Sequence, residues 1–201
     1  MHRLGPLPFA VCLLAYAQAQ AFADPIAINF EGLPDSTVLT NQYTGLTFSN
    51  ATIITAGISL NEFEFPPHSG SNVVFDDGGP MSIIFGSPIL SFSGYFTYVE
   101  PLTLAALDAS SSQVASAVSA FSSNDALFGD PSSNPNEFIQ VTFAGGFSTI
   151  TITGDPAGGS FTVDDLTYTP ASAAVPEPVT VVLILIGAGL LAGFRTRDRF
   201  Q

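Results

Sequence analysis

The chain predicts an all-β domain, an antiparallel two-sheet β-sandwich, on three observations. Apolar residues recur at every second position in short runs, which is the period of a strand with one buried face. Turn-forming clusters separate the runs: Asp77-Gly78-Gly79-Pro80, Glu100-Pro101, Gly129-Asp130-Pro131 and Gly154-Asp155-Pro156. No run between them requires a helix. About ten short strands with regular turns is the pattern of a sandwich.

In chain order, the first strand is marked by Ile26, Ile28 and Phe30. Residues 46–48, 52–54, 73–75 and 81–85 supply short apolar runs, and 102–107 another. The clearest alternation is 90–98, where Leu90, Phe92, Gly94, Phe96 and Tyr98 interleave with Ser91, Ser93, Tyr95 and Thr97. Residues 112–121 suit either a helix, through their alanines, or a strand, through Val114 and Val118. Ile139, Val141 and Phe143 mark one strand, Ile150 and Ile152 the next, and Gly145-Gly146 between them reads as a tight hairpin turn. Phe161 and Val163 mark the last strand.

The two ends have a different character. His2 and Arg3, an apolar stretch from Leu4 to Ala15 and Ala-x-Ala triplets ending at Ala19, Ala21 and Ala23 have the layout of a secretory signal peptide over residues 1–23. Cleavage is expected after Ala23, with Ala21 the second choice. At the other end a linker, 171–178, contains Pro176, Glu177 and Pro178. An apolar run follows at 179–194, and Arg195, Arg197 and Arg199 lie in the tail 195–201. As a helix the apolar run spans roughly 24 Å, a marginal membrane anchor. The arginines would hold its end in the cytoplasm and leave everything upstream outside. Gly189 and Gly193 form a small-xxx-small pair suited to packing on another helix. The prolines keep the linker extended and accessible to a processing enzyme.

Triplet, apolar segment and arginine cluster together resemble the PEP-CTERM sorting tail, which implies processing by an exosortase-type enzyme. The resemblance implies export in a Gram-negative bacterium: a membrane-anchored precursor first, then a cell-surface or extracellular protein. Such tails accompany exopolysaccharide-producing systems.

All four cationic side chains lie at the ends, so residues 24–177 contain no Lys and no Arg, while 16 of the 17 carboxylates lie there, Asp198 being the exception. No internal salt bridge to Lys or Arg is available to the body. A surface of one sign excludes nucleic acid and anionic headgroups as partners, because phosphates need cations opposite them. Cys12 is the only cysteine and falls in the leader, so the body must be stable without disulfides.

Three patterns exceed generic strand sequence: Phe30-Glu31-Gly32, Phe65-Pro66-Pro67-His68-Ser69-Gly70 and Val163-Asp164-Asp165-Leu166-Thr167-Tyr168. With Gly94-Tyr95-Phe96-Thr97-Tyr98 they make residues 24–170 resemble jelly-roll domains of the galactose-binding-like and carbohydrate-binding-module type. In such domains the first and last strands bring carboxylates to a structural Ca²⁺. The resemblance thus implies Glu31 and Asp165 as metal ligands, with Asp164 taking over if the strand phase slips. Independently, Asp165 shares an ideal strand face with Phe161 and Val163, and a carboxylate on an apolar face must be paired, protonated or metal-bound. Asp76 with Asp77, and the 124–137 loop with Asp125, Asp130, Asn134, Asn136 and Glu137, are weaker metal candidates, since neither has EF-hand spacing.

Catalysis has little support. His68 is the only histidine of the body, no Gly-x-Ser-x-Gly, His-Glu-x-x-His or phosphate-loop motif is present, and adjacent His68 and Ser69 seldom make a nucleophile–base pair. A non-catalytic structural or adhesive sandwich is the first expectation. A carbohydrate-binding module using Tyr95, Tyr98 and Asn72 is the alternative, with Tyr43 and Asn61 as further contacts, and a hydrolase ranks last. The absence of Trp weighs against sugar binding.

Overall fold

A computed structural model describes residues 23–171. The signal peptide, the linker beyond Ala171, the apolar run and the arginine tail lie outside the described residues. Phe22–Ala173 forms a compact unit. Among the described residues there are nine strands and no helix. The strands are β1 (Ile26–Ile28), β2 (Leu46–Ser49), β3 (Ala51–Thr55), β4 (Asn72–Asp76), β5 (Met81–Tyr98), β6 (Thr103–Leu107), β7 (Gln113–Val118), β8 (Glu137–Thr153) and β9 (Phe161–Pro170).

All pairs are antiparallel, and the hydrogen-bonded order β3-β4-β9-β5-β8-β6-β7 makes one continuous sheet, with β1 beside β9 and β2 beside β5. The long strands β5 and β8 fold that sheet into two halves. Residues 82–85 of β5 pair with β2, whereas 89–98 pair with β9. Residues 149–153 of β8 pair with β6, whereas 137–142 pair only with β5. One cluster of buried side chains, Met81, Ile83, Leu104, Ile150 and Ile152 from one half with Phe92, Phe96, Val141, Phe161 and Val163 from the other, fills the space between them. This arrangement is consistent with a β-sandwich.

The bend corrects the expected hairpin. Gly145-Gly146 is no turn: both glycines lie inside β8. Ile84 pairs with Thr149, Ile89 with Phe147 and Ser91 with Thr142, so extra residues bulge from β5 first and from β8 next. Across the bend the side-chain phase changes once in each strand, between 89 and 92 in β5 and between 147 and 150 in β8. In β5 the buried positions pass from 81, 83 and 85 to 92, 96 and 98; in β8 they pass from 139, 141 and 147 to 150 and 152. Gly146, at φ 78, supplies the left-handed residue that the bulge needs. Residues 113–118, open to either reading, are strand.

Candidate functional site

The candidate site sits on the outer face of the half-sheet containing β9, where the loop between β3 and β4 is latched by three carboxylates. Pro66 and Pro67 cannot donate to a ladder, and beyond them the N–H groups of Ser69 and Ser71 turn to acids. Glu31 Oε1 accepts the backbone N–H groups of Ser71 (2.9 Å) and Asn72 (2.8 Å), and Oε2 accepts the Ser71 hydroxyl at 3.3 Å. Gly70 permits this approach: it lies at φ 54, and a Cβ there would stand 2.3 Å from Glu31 Cδ. Phe30, also left-handed at φ 63, buries its ring in the core while Glu31 reaches the loop.

The second latch comes from β9. Asp164 Oδ2 accepts the Ser69 N–H at 2.8 Å, and Oδ1 accepts the Asp165 N–H at 2.7 Å. Asp165 Oδ1 accepts the Ser69 hydroxyl at 2.9 Å, while Oδ2 is 2.6 Å from His68 Nδ1. The imidazole lies flat on the Tyr95 ring, with centroids 3.5 Å apart and planes 9° apart. Burial pushes Asp164 up to about 6, against the pull of its hydrogen bonds and with a smaller push from the Asp165 charge.

The strand phase does slip at this point. Ser93 pairs with Thr167 but Tyr95 with Asp164, so Asp165 and Leu166 together stand against Gly94. Asp165, at φ 46, leaves the face of Phe161 and Val163 that an ideal strand assigns to it, and Leu166 takes the buried position.

Among the described residues no three His, Cys, Asp or Glu side chains gather in a group that could hold a metal ion. As placed, Glu31, Asp164 and Asp165 face N–H and O–H donors of the loop. Asp76 and Asp77 diverge. Asp76 is fully buried, accepts the N–H groups of Ser160 and Phe161 at 2.9 Å, and is pushed up by burial; Asp77 accepts the Thr52 hydroxyl at 3.0 Å. In the 124–137 loop, Asp125 accepts the Leu127 and Phe128 N–H groups and Asp130 accepts that of Ser122, so both close turns of their own loop.

Two expected sugar contacts are corrected. Tyr98 is fully buried in the core, with its hydroxyl donating to Glu137, so no ligand reaches its ring. Asn72 is buried as well; its amide donates to Phe30 O (3.0 Å) and Leu33 O (2.8 Å) and accepts the Thr55 hydroxyl. The hydrolase geometry is not built around Ser69, because its hydroxyl and the His68 imidazole both turn to the Asp165 carboxylate rather than to each other.

Beside the latch the same face forms a platform. Strand register lines up Phe138 with Tyr95, Gln140 with Ser93 and Thr167, and Thr142 with Ser91 and Thr169. Phe138 is 52% exposed, and its ring centroid lies 5.4 Å from that of Tyr95 at 57°. Sequence reasoning missed Phe138, although its phase betrays it: it alternates with Ile139 and Val141, and so stands on the polar side of its strand.

No family model and no curated protein matches the chain. Among solved structures it is similar to a family 29 carbohydrate-binding module (TM-score 0.40, 15% identity, 79% of this chain and 97% of that one). It is likewise similar to the family 11 carbohydrate-binding module of a cellulosomal cellulase of Clostridium thermocellum (TM-score 0.34, 11% identity, 76% and 99%). Likenesses this distant carry no assignment of ligand.

Proposed function

We propose that the domain is a non-catalytic module that binds a neutral polysaccharide on the platform formed by Tyr95, Phe138, Gln140, Ser91, Thr142, Thr167 and Thr169. The observation that carries this reading is Phe138. A large ring stands in water next to Tyr95 on a strand face that otherwise offers an amide and hydroxyls. Sugars present apolar C–H faces and a rim of hydroxyls, and the exposed Phe138 ring, set against the His68–Tyr95 stack and beside hydrogen-bonding groups, complements both. Charge narrows the ligand. With no Lys or Arg between residues 24 and 177, uronate and sulfated polymers meet only repulsion.

The same proposal covers the setting. An exported precursor, cut by an exosortase-type enzyme near Pro176, Glu177 and Pro178 after its arginines have set its orientation, delivers the module to the cell surface or matrix. There, holding exopolysaccharide is itself a structural and adhesive role.

The test is retention of the Phe22–Ala173 unit on cellulose, mannan and alginate by affinity electrophoresis. Retardation by a neutral polymer, reduced about tenfold in affinity by Phe138→Ala and left intact by Phe63→Ala, supports the reading. Retention on alginate alone, or on a neutral polymer but indifferent to Phe138→Ala, overturns it. Calcium binding at Glu31, Asp164 and Asp165 is a separate proposal, since the ion would have to displace the loop's donors. Millimolar Ca²⁺ raising the melting temperature, with the rise lost on Glu31→Ala, supports calcium; an unchanged melting curve removes it.

A further inference from the structure

We propose that β7 is the seam of a symmetric dimer, pairing antiparallel with β7 of a second copy of this chain. β7 is bonded on one side to β6, and among the described residues no strand meets its other side. Two other margins of the sheet are closed, whereas β1 and residues 137–142 of β8 each have a strand partner on one side only among the described residues. Segment 36–39 covers β3 through Ser36 N to Ile53 O, Leu39 N to Ala51 O and Ile53 N to Thr37 O, each at 2.8 Å. β2 is bordered by Thr40, whose carbonyl accepts the Phe48 N–H at 2.7 Å.

An open strand edge is a template for another chain, and proteins usually blunt it with Lys, Pro or an inward charge. β7 carries no Lys, Pro or charge, and its single bulge, at Val114, lies near its start and leaves Ala115–Val118 in regular register with β6. No residue from Ala109 to Asn124 is charged or a proline, and the whole chain contains no Lys. From Ala115 on, exposed Ser116 and Val118 alternate with Ala115 and Ala117, which pack against the core, and this is the half-buried pattern that a strand pair extends.

Charge selects a second copy as the occupant and this edge as its place. β2, β6, β7, residues 81–85 of β5 and residues 149–153 of β8 carry no charged side chain at all, so the half-sheet ending at β7 is neutral in a chain of net charge −13. Two such chains repel through their acidic loops and meet without like-charge cost along this strand. An antiparallel strand is self-complementary about a twofold axis, so one edge serves both copies.

The experiment is sedimentation velocity on the Phe22–Ala173 unit, which has its own core, across a concentration series at low and high salt. A dimer that tightens as salt screens the acidic loops is expected. Ser116→Asp, at an exposed position, weakens it about tenfold while the melting temperature measured at a monomeric concentration holds. Because Cys12 is the only cysteine and lies outside this unit, Ser116→Cys supplies an independent readout: mild oxidation yields a covalent dimer, and Thr47→Cys on β2 does not. A monomer at every concentration overturns the proposal. So does a dimer that Ser116→Asp leaves intact.

Discussion

A buried or half-buried carboxylate without a cation beside it has to be held by neutral donors, and this domain solves that problem residue by residue. Asp76 takes three donors from Ser160 and Phe161, Asp164 takes the Ser69 N–H from a loop and the Asp165 N–H from its own strand, and even the exposed Glu31 takes three from Ser71 and Asn72. Each acid therefore acts as a clasp between distant segments. Gly70 shows how narrow the tolerance is. Adding a methyl group at φ 54 costs about 1–2 kcal/mol in backbone terms and drives Glu31 off its three donors. Gly70→Ala should lower stability by roughly 2–3 kcal/mol in urea unfolding. Combined with Glu31→Ala it should cost little more than Gly70→Ala alone, because both remove the same contact and only the backbone cost belongs to Gly70 by itself. Full additivity in that double-mutant cycle would show that Gly70 and Glu31 act independently. Asp165 was legible as a carboxylate needing a partner, with Asp164 in its place if the strand phase slipped. Their partners, Ser69 and His68, stand 95 to 97 residues away in the chain and no local pattern names them.

At the scale of elements, the two long strands carry the architecture. β5 and β8 each belong to both halves of the sheet, and their bulges let one strand feed two faces of packing. Gly146 is where that depends on a single residue: at φ 78 a side chain is strained, and its Cβ would also come within 3.3 Å of Pro88 Cβ. Gly146→Ala should cost about 1–2 kcal/mol, lowering the melting temperature by roughly 3–6 °C. Gly32→Ala, where nothing lies within 4 Å and φ is ordinary, is the matched control. Equal shifts in the two variants would show that the bulge does not need its glycine. The alternation in 81–85, 92–98 and 139–141 was readable because period two is a local property. Reading 90 in phase with 92 was not safe: Ile89 is the buried residue, since the bulge between them resets the phase. Continuity across the bend was hidden for the same reason, as Gly-Gly and Pro suit a bulge as well as a turn.

For the whole molecule, one-signed charge makes pH the natural control. Asp164 has a folded value raised to about 6, above the ordinary carboxylate range, chiefly by burial, so the folded state holds that proton more tightly. Its contribution to stability is present below the unfolded value and is lost as pH rises through the window from about 4 to about 6. Burial moves Asp76 in the same direction, whereas hydroxyl donors from Ser59 and Ser110 hold Asp35 and Asp108 low, and their contributions are lost as pH falls. The melting temperature should therefore be higher near pH 5 than at pH 7.5, and Asp164→Asn should flatten the difference. Salt separates the causes: general repulsion is screened at high ionic strength, while a buried group's shift persists. A melting temperature that rises steadily from pH 5 to 7.5 would show that these buried acids are charged at no cost.

By itself the sequence determined the all-β class, most strand positions, the absence of internal cations and the need for Asp165, or Asp164 in its place, to find a partner. These follow from periodicity and composition, which are counted along the chain. Only the tertiary structure decided that four runs are two bent strands, that Tyr98 and Asn72 are buried while Phe138 is exposed, and that the His68 loop closes on Glu31 and β9. Those outcomes depend on which segments pair across the sheet. A single bulge changes them by reversing every side chain beyond it.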